Sequence, residues 1–145
     1  MARVELKLIN RDTDYAVKAL IFIAKKSPDV TSVSELTERL GIPRPFLRKI
    51  LQLLNKKGIL SSSKGRGGGF HLALSPEQIA LTNLIRIFQG PVKLNDCIFR
   101  RNVCPDIKTC ALKKKIDALE DHFISELQSI TIASLLENSS REAHK

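Results

Sequence analysis

Three cysteines, Cys97, Cys104 and Cys110, are the residues of this sequence whose type and spacing suit metal binding or redox chemistry. Six residues separate the first pair and five separate the second. An odd number of cysteines in one short segment is not typical of a disulfide framework, and it favours a reducing compartment with a metal or redox site. Thiolates are the ligands that iron–sulfur clusters select, and three on one loop can hold a cluster that leaves one iron for a labile ligand.

Other uses of these cysteines stay open on the residues alone. A zinc site normally contains a Cys-x-x-Cys pair or a nearby histidine, and neither is present here. A metal-free thiol switch would oxidise two of the three cysteines to a disulfide. Inert cysteines are the remaining alternative. Apolar periodicity is lost from Val92 to Thr109, so this segment is predicted to be a long loop that a metal would cross-link.

A segment from Arg39 to Pro76 carries most of the net charge. Its eight basic residues stand without any acidic residue, so it contributes +8 to a formal net charge of +9. Such clustering indicates an anionic partner, either nucleic acid or an anionic membrane surface. An ordinary solvated face usually mixes acids with bases, so eight bases without one acid disfavour that interpretation. The basic residues are Arg39, Arg44, Arg48, Lys49, Lys56, Lys57, Lys64 and Arg66.

The same segment has the pattern of a helix followed by two short strands. Gly58 is placed to end the helix, Ile59 and Leu60 begin a strand, and a glycine-rich basic loop separates them from a second strand. This order predicts the back half of a winged helix. The apolar residues expected on the core face of the helix are Phe46, Leu47, Ile50, Leu51, Leu53 and Leu54.

A shorter helix precedes the basic one, with a capping box formed by Ser32 and Glu35. Gly41-Ile42-Pro43 is a tight turn between the two, which predicts a helix-turn-helix motif. The second helix of such a motif enters the major groove, where arginine is the best single reader of guanine. The predicted groove contacts are Arg44, Arg48, Lys49 and Gln52. The predicted wing contacts to phosphate or the minor groove are Lys64 and Arg66.

Beyond the winged helix, one further helix has the pattern of an assembly element. Its apolar residues step by four, three and four, which is an a/d seam that requires a partner helix. The seam consists of Leu112, Ile116, Leu119 and Phe123. We therefore predict a mainly α protein with a small β-wing. The expected organisation is a winged helix-turn-helix domain at 9–90, a cysteine-bearing sensor loop at 91–110, a dimerisation helix and a C-terminal helix at 111–136, and a flexible tail at 137–145.

Local signals mark the ends of the outer elements. Asp12 or Thr13 is expected to cap the first helix, and Thr131 the last. A helical region is expected from Pro76 to Phe88.

No apolar run is long enough for a membrane span and the start lacks a signal peptide's apolar segment, so we expect a cytoplasmic protein that does not enter a membrane. No paired carboxylates or cofactor fingerprint points to an enzyme.

Three features occur in a specific order: Asp12-Thr-Asp-Tyr-Ala16, a glycine-rich segment from Ser63 to Phe70, and three spaced cysteines ahead of a long helix. Together they resemble the Rrf2 type of winged-helix transcription regulators, the family of IscR and NsrR, over roughly Ile9 to Leu136. The resemblance implies a homodimer that binds double-stranded DNA at a pseudo-palindromic operator. It also implies an iron–sulfur cluster on Cys97, Cys104 and Cys110.

The resemblance suggests a fourth cluster ligand as well. Relatives use either a histidine shortly after the third cysteine or an acid in the first helix of the partner subunit. Lys113 stands in the former place, so Asp14 of the partner subunit is the expected ligand. This sequence differs from its relatives at two positions predicted to contact DNA, so the operator sequence it recognises is expected to differ from theirs. Relatives commonly have an acid at the position of Arg48 and an arginine at that of Lys64. Additional residues at the start bring Arg3, Lys7 and Arg11, which are expected to contact phosphates.

The sequence therefore predicts a homodimeric transcription regulator, acting as a repressor. The cluster, as [2Fe-2S] or [4Fe-4S], would control operator affinity in response to iron–sulfur status, redox state or nitric oxide. The alternative is a winged-helix regulator that responds through a metal-free thiol switch or a small ligand.

Overall fold

A computed structural model describes residues 8–93 and 110–142 of the chain. Within these ranges the protein has six α-helices, a two-stranded antiparallel sheet and one 3₁₀ turn at Pro76–Gln78. The mainly α fold class with a small β-wing is thereby confirmed. In chain order the elements are α1 Arg11–Lys26, α2 Val33–Leu40, α3 Arg44–Lys56, β1 Leu60–Ser63, β2 Gly69–Leu72, α4 Leu81–Gln89, α5 Ala111–Ser129 and α6 Ile132–Glu142.

Helix α1 is the central element of the core. It packs against α2, α3, β2, α4 and α6. Its fully buried residues recur three or four positions apart and form one continuous face. Each large apolar side chain buried there stabilises the fold by about 1.5 to 3 kcal/mol. The buried apolar residues of α1 are Ala16, Ala19, Leu20 and Ile23.

The start of α1 differs from the sequence expectation. Asn10 is the N-cap, and its side-chain oxygen accepts a hydrogen bond from the Thr13 amide at 2.8 Å. Neither Asp12 nor Thr13 takes that role. The reason is that Thr13 is fully buried and its hydroxyl donates instead to Gln89 Oε1 at 2.7 Å. The helix therefore begins two or three residues earlier than expected.

Helices α2 and α3 form the predicted helix-turn-helix. The Ser32 hydroxyl accepts a hydrogen bond from the Glu35 amide at 3.1 Å, which is one half of the expected capping box. The Glu35 carboxylate instead pairs with Lys26 Nζ at 2.7 Å and ties α2 to the end of α1. Gly41 ends α2 in the left-handed region at φ 66°, where glycine avoids the steric cost of a Cβ.

The core face of α3 is narrower than the sequence suggested. Leu47, Ile50, Leu51 and Leu54 are buried, whereas the side chain of Leu53 is only half-buried. Phe46 was expected in the core but is 40% exposed. Its ring instead lies beneath the Arg11 guanidinium, 4.6 Å from ring centroid to Cζ. Phe46, at the edge of the apolar stripe, thus makes a cation–π contact with Arg11 instead of packing in the core.

Strands β1 and β2 form the wing, with Leu60 paired to Leu72 and Ser63 paired to Gly69 at the outer end. The backbone of Phe70 also exchanges two hydrogen bonds with Thr31, at 2.8 and 2.9 Å. This bridge anchors the wing to the turn before α2. Gly69 is required there because a Cβ at this position would collide with the Thr31 carbonyl.

The region expected as one helix from Pro76 to Phe88 is divided. A 3₁₀ turn and an extended stretch at Ile79–Ala80 precede α4. The extended backbone bonds to the connection between α5 and α6, since the Leu81 amide donates to Ile130 O at 2.8 Å and the Ile132 amide donates to Ile79 O at 3.0 Å. This distant pairing, rather than local helical bonding, satisfies the backbone there.

The two C-terminal helices have contrasting environments. The Thr131 hydroxyl accepts a hydrogen bond from the Ser134 amide at 3.1 Å, which confirms the expected cap of α6. Helix α6 packs on α1 and extends to Glu142, so it covers part of the segment expected as a tail. Helix α5 contacts α4 through a small cluster in which Leu127 meets Leu81 and Ile85. Leu127 is its sole buried residue among those described.

Candidate nucleic-acid interface

The outward face of α3 carries the residues predicted to read DNA. Their side chains are exposed, whereas the leucines at positions 47, 51 and 54 of the same helix are buried. The face is bounded by Pro43 at the start of the helix and by Gly58 after its end. The residues are Arg44, Arg48, Lys49 and Gln52. Their contacts with DNA remain a prediction.

The bases of α3 and the wing have no acidic partner in the described part of the chain. The ion pairs found there join Lys18 to Asp14, Lys26 to Glu35 and Lys113 to Asp117. None of these pairs involves α3 or the wing. The positive charge of this surface is therefore uncompensated, which favours the binding of a polyanion.

The wing presents two more bases. Lys64 and Arg66 lie in the connection between β1 and β2, and both are exposed. The hairpin places them beyond the Ser63–Gly69 pair, at the tip of the wing. The Thr31–Phe70 bridge ties this hairpin to the turn before α2, and β1 also contacts α3.

A cleft of about 300 Å³ borders this surface, and sequence reasoning missed it. Its charged residues come from two helices, Arg11 and Asp12 from α1 and Lys49 from α3. No pattern in the sequence indicated that Arg11 would stack on Phe46. The apolar residues that line the cleft are Phe46, Ile50, Leu53, Ile87 and Phe88.

The cysteine site is described only in part. Cys97 and Cys104 lie outside the described residues. Cys110 immediately precedes α5, and its thiol is free and half-buried. Asp14 lies in the first turn of α1, with its side chain 47% exposed and paired to Lys18 at 2.7 Å. Within 8–93 and 110–142, no three histidine, cysteine or acidic side chains converge, so these ranges contain no complete set of cluster ligands.

The predicted assembly seam of α5 is largely uncovered. Leu112 is 69% exposed and Leu119 is 59% exposed, while Ile116 is partly buried. Phe123, at the other end of the seam, packs against the cluster of Leu81, Ile85 and Leu127. The seam thus runs from the partly buried Phe123 to an exposed apolar end at Leu112.

None of the helices in the described ranges is both long and apolar enough to cross a membrane. The longest, α5, has 19 residues and carries several lysines and acids among its leucines.

Comparison with known proteins identifies the family. The family model described as Rrf2, iron-dependent transcriptional regulator, matches residues 9–138. An rrf2-like HTH-type transcriptional regulator of Rhodobacter capsulatus is 29% identical over 138 residues, which cover 89% of this chain and 92% of the relative.

Solved structures show the same fold. CymR, the global cysteine regulator of B. subtilis, is 23% identical with a TM-score of 0.72, over 92% of this chain and 98% of CymR. T. potens IscR is 25% identical with a TM-score of 0.71, over 92% of this chain and 88% of IscR. Since the family model spans most of its length, the chain belongs to the Rrf2 family of DNA-binding transcriptional regulators.

Proposed function

We propose that this protein is a homodimeric repressor that reads a pseudo-palindromic operator through α3 and changes its affinity with the state of an iron–sulfur cluster. The observation that carries the DNA half of the proposal is the outward face of α3, where exposed bases have no acidic partner among the described residues. A repressor of this kind would act on DNA in the cytoplasm.

The position of each base suggests its role. Arg44 and Arg48 lie in the N-terminal half of α3, the end of a recognition helix that approaches base edges. Lys49 directly follows Arg48, and Gln52 lies one turn beyond Arg48; both are exposed. The wing bases Lys64 and Arg66 would contact phosphate or the minor groove, where sequence is read mainly through groove width. The helix would therefore supply specificity and the wing general affinity.

Alanine substitutions separate these roles. Arg44→Ala or Arg48→Ala should weaken binding to a duplex selected from a randomised pool by about 1 to 3 kcal/mol, with little change on random DNA. Lys64→Ala should weaken both alike. Lys57→Ala is the matched control, because this exposed base follows the C-terminal end of α3 and there complements the helix dipole. Equal losses on both duplexes for Arg44→Ala and Arg48→Ala would overturn the recognition-helix assignment.

A second copy of the chain would cover the exposed end of α5. Leu112 and Leu119 leave two large side chains in solvent on one side of a 19-residue helix, and an a/d seam buries such residues against a like helix. A two-fold dimer would present two α3 helices to half-sites about one helical turn apart, roughly 34 to 36 Å. This spacing agrees with a pseudo-palindromic operator.

The donor chemistry fits an iron–sulfur cluster. Cys97, Cys104 and Cys110 would supply three thiolates, and Asp14 of the partner subunit would supply a hard, labile fourth ligand. Asp14 is available for this role because its carboxylate is half-exposed and its Lys18 partner is equally exposed. When bound, such a cluster supplies sensitivity to oxygen, nitric oxide and iron supply. Cys110 would connect this sensitivity to α5, which begins at the next residue.

Purification without oxygen tests the cluster. The protein should be brown and contain iron and sulfide, and each Cys→Ser variant should lose the colour. Asp14→Ala should give a weaker or more labile absorption. Lys18→Ala is the matched control, because it removes the partner of Asp14 and leaves the carboxylate in place. Colourless anaerobic protein with stoichiometric zinc would contradict the cluster.

A metal-free thiol switch is the second candidate, and one observation favours it. Cys110 is a free, half-buried thiol at the start of α5, where a disulfide to Cys97 or Cys104 would act directly on the assembly helix. This switch predicts colourless protein whose DNA affinity changes on oxidation and returns with a dithiol reductant. A change that the reductant does not reverse would argue against it.

A further inference from the structure

The cleft between α1 and α3 brings two cations from different helices to the edge of the predicted DNA surface. Lys49 projects from α3 between the outward face and the cleft, and Arg11 reaches the same cleft from the first turn of α1. Within residues 8–93 and 110–142, neither cation forms an ion pair. An anion entering the cleft would therefore meet two positive charges without ion-pair partners, opposed by the single carboxylate of Asp12.

Arg11 is held in place by Phe46. Its guanidinium lies 4.6 Å from the centroid of the Phe46 ring, and that ring belongs to the N-terminal turn of α3, between Arg44 and Arg48. A guanidinium stacked on an aromatic ring keeps its N–H donors at its edge, free for a phosphate. The stacking thus orients Arg11 beside the end of α3 that enters the groove.

The first turn of α1 is in turn tied to the end of α4. Gln89 Oε1 accepts hydrogen bonds from the Asn10 amide at 3.0 Å and from the Thr13 hydroxyl at 2.7 Å. Gln89 Nε2 donates to the Leu8 carbonyl at 3.0 Å. One side chain therefore bonds both sides of Arg11 along the chain. Because Thr13 is fully buried, this attachment is fixed to the core.

We infer that the Arg11–Lys49 cleft binds a phosphate of the DNA backbone, and that Gln89 is the positioning residue that holds Arg11 there. The inference rests on the proposed function, because it assumes that α3 docks on DNA. Arg11 is one of the residues that the sequence already predicts to contact phosphate, and it lies outside the helix-turn-helix and the wing. Its position across the cleft from Lys49 and its support by Gln89 make the first turn of α1 part of the DNA surface.

Asp12 allows an independent test of whether the group that binds in the cleft is negatively charged. It lines the same cleft, so its carboxylate opposes an incoming phosphate. Asp12→Asn should strengthen binding to operator and random duplexes alike, by roughly two- to fivefold. Unchanged or weaker binding by Asp12→Asn would overturn the phosphate assignment.

The direct experiment measures the dissociation constant on both duplexes as a function of salt. Arg11→Ala should weaken both by roughly three- to tenfold and reduce the slope of log K against log salt by about 0.9, the signature of one lost phosphate contact. Arg141→Ala is the charge-matched control, since α6 lies by the opposite end of α1, where Lys25 bonds Ser139. It should change neither quantity.

Gln89→Leu tests the positioning role. It should reproduce the loss and the reduced slope of Arg11→Ala, and the double variant should bind no more weakly than Arg11→Ala alone. Thr13→Val keeps the side-chain shape while removing one donor to Gln89, so it supplies the same test with a smaller loss should Gln89→Leu not fold. Gln128→Leu, at an exposed site on α5, is the control for the substitution itself.

The outcomes separate the two proposals. Additive losses in the double variant, or full affinity in Gln89→Leu and Thr13→Val, would overturn the positioning role. Arg11→Ala with an unchanged salt slope would overturn the assignment of a phosphate to the Arg11–Lys49 cleft. In that case a loss of operator preference in Arg48→Ala would still leave the proposed function intact. Wild-type protein that binds neither duplex would refute the proposed function itself.

Discussion

The winged unit formed by α1 to α4 and helix α5 differ in how far their large apolar residues are buried. In the winged unit the large residues are buried within one chain, and Leu20, Leu51 and Leu54 have no exposed surface. In α5 two leucines of the same type lie mostly in solvent. The apolar residues of the winged unit are therefore satisfied within the chain, whereas the exposed leucines of α5 are the ones that the proposed dimer would cover.

The two regions also differ in whether their basic residues are paired with acidic ones. Along α5 the bases lie near acids, as in the Lys113–Asp117 pair at 2.7 Å, and such exposed pairs contribute little to stability. The bases of α3 and the wing have no such pairs in the described ranges. This difference supports the proposal that the bases of α3 bind a polyanion.

The largest expected effect comes from breaking the seam of α5. Leu112→Asp with Leu119→Asp places charges at the two exposed positions and should give monomers. Two linked half-site contacts gain about 10² to 10⁴ in affinity over one, so operator binding should fall by that order. Sedimentation and fluorescence anisotropy would measure the two effects.

Ala118→Asp is the control for that experiment, because it adds a charge at an exposed position of α5 outside the seam. It should remain dimeric and bind the operator normally. A double variant that stays dimeric would place the interface elsewhere on the molecule.

The next effect concerns the core of the winged unit. Leu54→Ala should lower the free energy of unfolding by about 2 to 5 kcal/mol, since it removes a fully buried side chain. Leu112→Ala, with 69% exposure, should change it by no more than about 0.5 kcal/mol when measured in dilute protein. Denaturant titration would compare them, and equal losses would remove the distinction between the two regions.

A smaller effect is expected at the anchor of the wing. Gly69→Ala would force apart the wing and the Thr31 backbone, because the new methyl group has no space there. Overpacking of this kind costs about 1 to 3 kcal/mol. Thermal unfolding would measure the loss, with Ser62→Ala on the exposed part of β1 as the control. Wild-type stability in Gly69→Ala would mean that the wing shifts freely against α2.

The helices and the wing could be predicted because their signals are local. Gly41, the alternating strand residues and the Thr131 cap each act within a few positions of the chain. The break before α4 could not be predicted, since it depends on backbone bonds from Ile79 and Leu81 to residues near Ile130. A long-range pairing of this kind leaves no periodic pattern.

The candidate site divides in the same way. The bases of α3 follow from helical spacing and charge, which the sequence displays directly. The Arg11–Phe46 stack and the Gln89 bonds join residues 35 to 81 positions apart in the chain, and no local motif marks them. The helical spacing of Phe46 is compatible with the core and with the edge of the core, and this residue was predicted to lie in the core. Its position beside Arg11 depends on how α1 packs against α3.

The most direct test of the account is the operator affinity of anaerobically purified protein before and after exposure to oxygen. The account predicts at least a tenfold change in the dissociation constant, equal to about 1.4 kcal/mol, for the wild type. It predicts no change for the triple variant with serine at Cys97, Cys104 and Cys110. An oxygen response that persists in the triple variant, or wild-type affinity that oxygen does not alter, would contradict it.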